Sequence, residues 1–158
     1  MEARKGNYSR TTGETEISVT INLDGTGESN ISSGYGVLDH MINQLTRHGL
    51  IDIELQAKGD SALTGWQHTV EDCGIALGRA FSDALGNCAG IRRMWHALVP
   101  LDEALARVAL DLSGRGYAAV DLGITGTNIA DLPGDLLRHF LESFAVESRM
   151  TLHINVLE

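Results

Sequence analysis

The sequence predicts an α+β fold built from two repeated strand–strand–helix–strand–helix (ββαβα) halves, the second of which lacks its last helix. Some segments alternate apolar and polar residues, as half-buried strands do, and others repeat apolar residues every three to four positions, as helices do. The order of these segments then occurs twice along the chain. With 158 residues, 43% of them hydrophobic, the chain is long enough for one domain that buries roughly 70% of its unfolded surface.

The first half carries the clearer patterns. In the segment 15–23, Ile17, Val19 and Ile21 alternate with polar residues, which predicts a strand. A glycine-containing turn follows at 24–27, and we expect 28–35 to return as the second arm of a hairpin. The remaining predicted elements are a helix at 38–48, a strand at 50–57, a loop at 58–65 and a helix from about His68 to about Leu85.

The second half repeats this order. Its predicted elements are a strand at 105–112, a return strand at 117–122, a helix at 135–147 and a strand at 151–156. The chain stops at Glu158, where the matching last helix is expected to begin. A sheet covered on one flank only exposes apolar surface, so we expect another chain to cover that surface or a segment to be missing.

The duplication is visible in the residues themselves. Leu38-Asp-His-Met matches Leu137-Arg-His-Phe, and Leu23-Asp-Gly-Thr-Gly matches Leu112-Ser-Gly-Arg-Gly. The first match puts His40 and His139 at equivalent positions, which indicates a shared role. We therefore expect a single domain, 1–158, with pseudo-repeat halves at about 10–89 and 90–158.

Composition excludes several classes of partner. The net charge of −9 argues against nucleic acid or an anionic membrane, because both require a basic face. No apolar run approaches the roughly 18–20 residues of a membrane span, and the first ten residues carry no signal-peptide pattern. Two cysteines, Cys73 and Cys88, indicate reduced thiols rather than a disulfide framework. We expect a cytoplasmic protein.

The most informative pair of residues is His68 and Glu71. They stand three positions apart at the predicted start of a helix and so share one face. An imidazole nitrogen and a carboxylate oxygen placed there can bind Mn, Fe, Co, Ni or Zn. The two residues alone leave open a plainer interpretation, an ordinary helix start with Thr69 near the N-cap.

Motifs along almost the whole chain, from about Arg10 to Ile154, are those of a known enzyme family. In chain order they are Glu14-Thr-Glu-Ile, Leu23-Asp-Gly-Thr-Gly, Gly34-Tyr-Gly-Val-Leu-Asp-His-Met, Gln44-Leu-Thr-Arg-His-Gly, His68-Thr-Val-Glu-Asp, Gly74-Ile-Ala-Leu-Gly, Gly90-Ile-Arg-Arg, Pro100-Leu-Asp-Glu-Ala-Leu-Ala, Ser113-Gly-Arg, His139-Phe and Thr151-Leu-His-Ile. With these motifs the chain resembles the imidazoleglycerol-phosphate dehydratases, lyases of histidine biosynthesis.

The resemblance implies a ribosomal protein S5 domain 2-like fold, in which each half is a four-stranded sheet with helices on one face. It implies a homo-oligomer of trimers, of up to 24 subunits, with Mn²⁺ as the cofactor bound between subunits. It also implies a small phosphorylated substrate: removal of water from D-erythro-imidazole-glycerol phosphate would give imidazole-acetol phosphate.

The resemblance also implies roles for individual residues. The implied metal ligands are His40, His68, Glu71 and His139, and the implied catalytic residues are Glu14, as an acid/base group, and Glu71. The implied substrate contacts are Gln44, Asp102 and two phosphate-binding arginines, Arg93 and Arg115. Plainer roles exist as well: His40 as a core or cap residue, His139 as a helix partner of Glu142, and Arg93 as solvated surface.

Three departures from the family pattern concern the metal site. Gln67 stands where the family has a metal-binding histidine, and the loop Gly59–Gly65 is one residue longer and lacks an acidic pair. The chain also ends before the family's second Asn-x-His-His-x-x-Glu motif. We therefore expect at most one metal site of good affinity in this chain alone. Two alternatives stay open: a diverged paralogue that acts as a binding or assembly module, and a lyase or isomerase for another phosphorylated small molecule.

Overall fold

A computed structural model describes residues 3–60, 65–130 and 132–157. The strands are β1 (Lys5–Thr11), β2 (Glu16–Asn22), β3 (Ser29–Ser32), β4 (Asp52–Lys58), β5 (Met94–Leu101), β6 (Ala104–Asp111), β7 (Tyr117–Asp121), β8 (Asn128–Ile129), β9 (Leu132–Pro133) and β10 (Thr151–Val156). The helices are α1 (Gly36–Gly49), α2 (Gln67–Leu85) and α3 (Gly134–Glu147). No helix in these described stretches is long and apolar enough to cross a membrane.

Two four-stranded sheets share one topology. The first has the strand order β1-β2-β4-β3 and the second β5-β6-β10-β7. In both sheets the first two pairs are antiparallel and the last pair is parallel. This confirms the predicted α+β fold and the four-stranded sheet expected for each half. The single domain and its two halves, at about 10–89 and 90–158, stay a proposal. β1 begins at Lys5, before the proposed start of the first half.

The two predicted hairpins are wrong. β3 does not return onto β2 but runs parallel to β4, with Ser29 opposite Ile53. β7 likewise runs parallel to β10, with Tyr117 opposite Thr151, rather than returning onto β6. In both halves the preceding glycine-rich turn is followed by a strand that crosses to a later partner.

The actual hairpins are β1–β2 and β5–β6, whose first strands were not predicted. β1 has Tyr8 as its one large apolar residue, so it lacks the alternation that identifies a half-buried strand. β5 reads Met-Trp-His-Ala-Leu-Val-Pro-Leu, with apolar residues on both faces, so a period of two is not visible either. Each half therefore has one more strand at its start than predicted.

The main core lies in the first half. Ile17, Val19 and Ile21 of β2 face the same side of the sheet as Ile53 and Leu55 of β4, and all five are buried. Buried residues of α1 and α2 pack on this side: Leu38, Ile42, Val70, Cys73, Ala76, Leu77 and Ala80. Both helices therefore cover one face of the first sheet.

The second sheet is less covered. Ala145, Met150 and Leu152 form its buried cluster, together with partly buried residues of β6, β7 and α3. Trp95, Val99 and Leu101 of β5 share one face and remain more than half exposed. This apolar face corresponds to the face of β1–β2 that α2 covers in the first half.

Helices α2 and α3 pack closely and in parallel. A Cβ atom on Gly74 would lie 2.6 Å from the carbonyl oxygen of Phe140, and one on Gly78 would lie 2.7 Å from that of Phe144. Residue numbers increase in the same direction along both helices, from Gly74 to Gly78 and from Phe140 to Phe144, so the two helices start at the same end of the molecule. Their first turns, which carry several predicted site residues, are therefore neighbours.

Candidate metal centre

Two predicted metal ligands from different helices meet in the structure. Nε2 of His139 on α3 lies 3.3 Å from Oε2 of Glu71 on α2, and both side chains are more than a third exposed. Donor atoms that bind one ion at about 2.0–2.2 Å lie about 3.0–3.5 Å from each other. The observed separation thus fits a shared divalent ion, and the exposure leaves the pair accessible to one.

Glu142 is a weaker partner of His139. Its Oε2 is 3.8 Å from Nδ1 of His139, beyond the range of a hydrogen bond. The imidazole therefore lies between two carboxylates and approaches Glu71 more closely. A simple helix pair of His139 with Glu142 does not account for this arrangement.

His68 lies one helical turn before Glu71 and is held by Asp60, which lies between β4 and α2. Its Nδ1 is 3.1 Å from Oδ2 of Asp60, and the same oxygen accepts a hydrogen bond from the backbone N–H of His68 at 3.1 Å. This contact does not use Nε2, the second ring nitrogen. The His68 side chain is half exposed.

The start of α2 differs from the expected one. Trp66, with φ 61°, occupies the N-cap position and makes no side-chain capping bond, so Thr69 is not the cap but lies three residues further along. Asp60 replaces the missing cap: Oδ1 accepts the Thr69 N–H at 3.0 Å and also the Thr69 hydroxyl. Burial opposes ionisation of Asp60, but the hydrogen bonds from Thr69 and His68 outweigh it and lower the pKa of this carboxyl.

Glu14 is exposed in the turn between β1 and β2, and that turn is tied to α2. The backbone N–H of Glu14 donates to the Thr12 hydroxyl at 3.1 Å, and the hydroxyl of Thr15 donates to Asp72. Asp72 is buried and directly follows Glu71, and its Oδ1 accepts a 2.8 Å bond from Nε of Arg10. These contacts hold the predicted acid/base residue in a defined position relative to the first turns of α2.

His40 and Gln44 lie on an exposed face of α1. Oε1 of Gln44 is 3.1 Å from Nε2 of His48, and Met41 and Leu45 on the same face are about two-fifths exposed. Across residues 3–60, 65–130 and 132–157, no three His, Cys, Asp or Glu side chains form one potential metal site. The structure thus brings Glu71 and His139 together. His68 lies one helical turn before Glu71, and His40 lies on another helix, outside that pair.

The predicted phosphate ligands lie in the second half. Nε and Nη2 of Arg93 donate to the two carboxylate oxygens of Asp111 at 2.6 and 2.9 Å. The hydrogen bonds from Arg93 lower the pKa of Asp111, and the charge of Arg115, in the following turn, acts in the same direction. Asp102 lies in the β5–β6 turn with φ 49° and is exposed.

Three acidic residues that support the site were missed by the sequence analysis: Asp60, Asp72 and Asp111. Each contacts a residue at least eight positions away along the chain, His68, Arg10 and Arg93 respectively. Periodicity does not report such contacts. Asp60 stands eight positions before His68, so the sequence gives no local signal of its capping role, because a capping residue normally comes directly before the helix.

Cys73 and Cys88 are both free thiols. Burial, with smaller effects from the charges of Asp39 and Asp72, raises the pKa of Cys73 to about 12. A thiol in that environment stays protonated and does not act as a nucleophile. Cys73 therefore serves as a core residue of α2.

Comparisons with known proteins identify the family of this chain. The family model described as imidazoleglycerol-phosphate dehydratase matches residues 33–158. An imidazoleglycerol-phosphate dehydratase of Dehalococcoides mccartyi strain CBDB1 is 49% identical over 157 residues, which cover 99% of this chain and 78% of the relative.

Two solved structures agree with the fold. The imidazoleglycerol-phosphate dehydratase of Staphylococcus aureus matches with a TM-score of 0.85 and 27% identity, covering 98% of this chain and 84% of the other. That of Pyrococcus furiosus matches with a TM-score of 0.81 and 32% identity, covering 96% and 80%. Members of this family are metal-dependent. With a match over more than half of its length and a relative of this identity, the chain belongs to the imidazoleglycerol-phosphate dehydratase family, the hydro-lyases of histidine biosynthesis.

Proposed function

We propose that this chain removes water from D-erythro-imidazole-glycerol phosphate to give imidazole-acetol phosphate, with Mn²⁺ as its cofactor. The observation that carries the proposal is the 3.3 Å contact between Nε2 of His139 and Oε2 of Glu71, two donors from separate helices. His68 would add a third donor from the same helical face as Glu71. His40, on the exposed face of α1, would serve a site completed by a neighbouring copy.

The chemistry defines what the side chains must do. Loss of water breaks the C–H bond of the middle carbon of the glycerol chain and the C–O bond of the carbon next to the ring. The enol that results becomes the ketone of the product. Glu71 and His139 would hold a divalent ion, which would supply Lewis acidity when bound.

Glu14 is the proposed acid/base residue for this proton transfer. Its carboxylate is exposed, so a substrate can reach it, while its backbone is held by Thr12. The contact between Thr15 and Asp72 ties the same turn to the helix that carries Glu71. A proton acceptor must stay within hydrogen-bond reach of the reacting carbon, and this anchoring favours such a role.

Arg93 and Arg115 are the proposed phosphate ligands, with Gln44 and Asp102 as further substrate contacts. Asp111 occupies the edge of the Arg93 guanidinium formed by Nε and Nη2, so Nη1 is not used in that pair. A guanidinium held this way keeps donors for a phosphate group in a fixed direction. Both arginines are exposed, as a site for a soluble substrate requires.

We further propose that the active unit is a homo-oligomer based on trimers, of up to 24 subunits, in the cytoplasm. Met41 and Leu45 lie beside His40 and Gln44 on α1 and are apolar yet exposed. Apolar side chains next to potential ligands are typical of a surface that a partner subunit covers. The predicted ligand His40 would then work together with residues of the neighbouring copy.

The proposal is tested by Mn²⁺ titration and by the formation of imidazole-acetol phosphate from imidazole-glycerol phosphate. We expect the wild-type chain to bind Mn²⁺ and form product, and Glu71→Gln and His139→Gln to lose both properties. Glu142→Gln is the matched control, because this residue lies 3.8 Å from the other nitrogen of His139. A wild-type protein that binds no Mn²⁺ and forms no product would contradict the proposal.

A further inference from the structure

We infer that Asp60 is a positioning residue that holds His68 in the one tautomer able to bind a metal ion through Nε2. The inference rests on the proposed function, because it takes His68 to be a metal ligand. The contact between Asp60 and His68 lies entirely within one chain.

Both oxygens of the Asp60 carboxylate form hydrogen bonds, one with His68 and the other with Thr69. Oδ2 is 3.1 Å from Nδ1 of His68 and accepts the backbone N–H of the same residue at 3.1 Å. Oδ1 accepts the N–H of Thr69 at 3.0 Å and the Thr69 hydroxyl. The carboxylate is only 5% exposed, so water does not compete effectively for these bonds.

The chemistry of the two groups then decides the tautomer of His68. An ionised carboxylate has acceptors and no donor, so a hydrogen bond with Nδ1 requires the proton of the neutral imidazole to sit on Nδ1. Nε2 is then left with its lone pair, which is the form that binds a metal. The opposite tautomer would turn the lone pair of Nδ1 toward a negative charge. A carboxylate behind a metal-binding histidine commonly fixes the ring in this way.

The backbone around Asp60 keeps the carboxylate in place. A Cβ atom on Gly59 would lie 2.4 Å from the Thr69 hydroxyl oxygen and 2.9 Å from Cγ2 of Thr15. Gly59 therefore lies directly against the first turn of α2, where an added methyl group would displace the Thr69 side chain. Trp66 supplies no side-chain cap, so Asp60 both caps the helix and orients the ligand.

A pair of variants separates these two functions. Asp60→Asn keeps a good capping side chain, but it introduces an amide NH₂ that cannot replace both accepting oxygens. Thr69→Val removes the hydroxyl that donates to Asp60 and preserves the shape of the side chain. Both changes weaken the anchoring of Asp60, and only the first alters the group that faces His68.

The experiment measures Mn²⁺ affinity from the electron paramagnetic resonance signal of free Mn²⁺, together with thermal unfolding, for the full chain and each variant. We expect Asp60→Asn to weaken Mn²⁺ binding by about 10–100-fold, the usual effect of losing such a partner. We expect Thr69→Val to lower the melting temperature without changing Mn²⁺ affinity. Equal weakening by both variants would overturn the inference, because it would show a structural effect alone.

His68→Ala distinguishes a failure of this inference from a failure of the proposed function. If His68→Ala weakens Mn²⁺ binding and Asp60→Asn does not, His68 is a ligand but Asp60 does not position it, and the inference alone is wrong. If His68→Ala leaves Mn²⁺ binding unchanged, His68 is not a ligand, and the proposed ligand set fails together with the inference.

Discussion

Gly74 of α2 lies against the backbone of Phe140 in α3, so closely that a Cβ atom on the glycine would be 2.6 Å from the Phe140 carbonyl oxygen. One turn further along, Gly78 makes the same kind of contact with Phe144. The close approach occurs one turn beyond the point where Glu71 meets His139. Two small residues on α2 thus set the helix spacing on which the candidate metal centre depends.

Replacing Gly74 with alanine should destabilise the protein. The added methyl group meets backbone rather than a flexible side chain, so the helices must separate, which costs about 1–3 kcal/mol. Urea unfolding monitored by circular dichroism measures the loss. Gly36→Ala is the control: nothing lies within 4 Å of its Cβ position at the start of α1, and the change should be neutral or slightly stabilising. Equal stability of both variants would contradict the packing argument.

Asp72 should matter more for stability than an exposed acid in a similar pair. Its side chain is 8% exposed and bonds to Arg10 and Thr15, so Asp72→Asn removes a charge from a buried network. We expect a loss of about 1–3 kcal/mol in the free energy of unfolding. Asp24→Asn breaks the exposed pair with Arg4 and should cost less, since water replaces the lost contact. A larger effect at Asp24 would refute this ranking.

The contribution of Asp52 should depend on pH. Its Oδ1 accepts the backbone N–H groups of Thr26, Gly27 and Glu28 at 2.8–3.0 Å, and these bonds lower the pKa of the carboxyl below 3.8. A carboxyl with a lowered folded-state pKa stabilises the protein above its unfolded pKa and loses this effect as the pH falls. The wild-type protein should therefore have a higher melting temperature than Asp52→Asn at neutral pH. This difference in melting temperature should shrink as the pH falls below 3.8. A difference that grows with acidification would show that the sign is wrong.

Placing a histidine at position 67 should strengthen metal binding. Gln67 is the first residue of α2 and is exposed, and it lies four positions before Glu71, on the same helical face. An imidazole binds Mn²⁺ or Zn²⁺ better than an amide does. We expect Gln67→His to raise Mn²⁺ affinity or stoichiometry in titration calorimetry, and Gln67→Ala to leave both unchanged. No gain from the histidine would mean that this position does not face the ion.

Much of the fold was predictable because it is encoded locally. The helices at 36–49, 67–85 and 134–147 and the strand at 151–156 agree with the predicted positions within a few residues. The duplication was visible in matching glycine-containing turns and helix starts. The pairing of β3 with β4 and of β7 with β10 was not, because periodicity reports which face of a strand is buried and not which strand lies beside it.

The candidate site also combines features that the sequence encodes locally with contacts that depend on the tertiary structure. The sequence by itself determined the family and the spacing of His68 and Glu71, since motifs and helical spacing are properties of consecutive residues. The equivalence of His40 and His139 stays a prediction. Only the tertiary structure decided that His139 meets Glu71, that Asp60 holds His68 and that Asp111 holds Arg93. The reason is physical: each of these contacts joins residues from different elements, and their distance depends on how closely helices and loops pack.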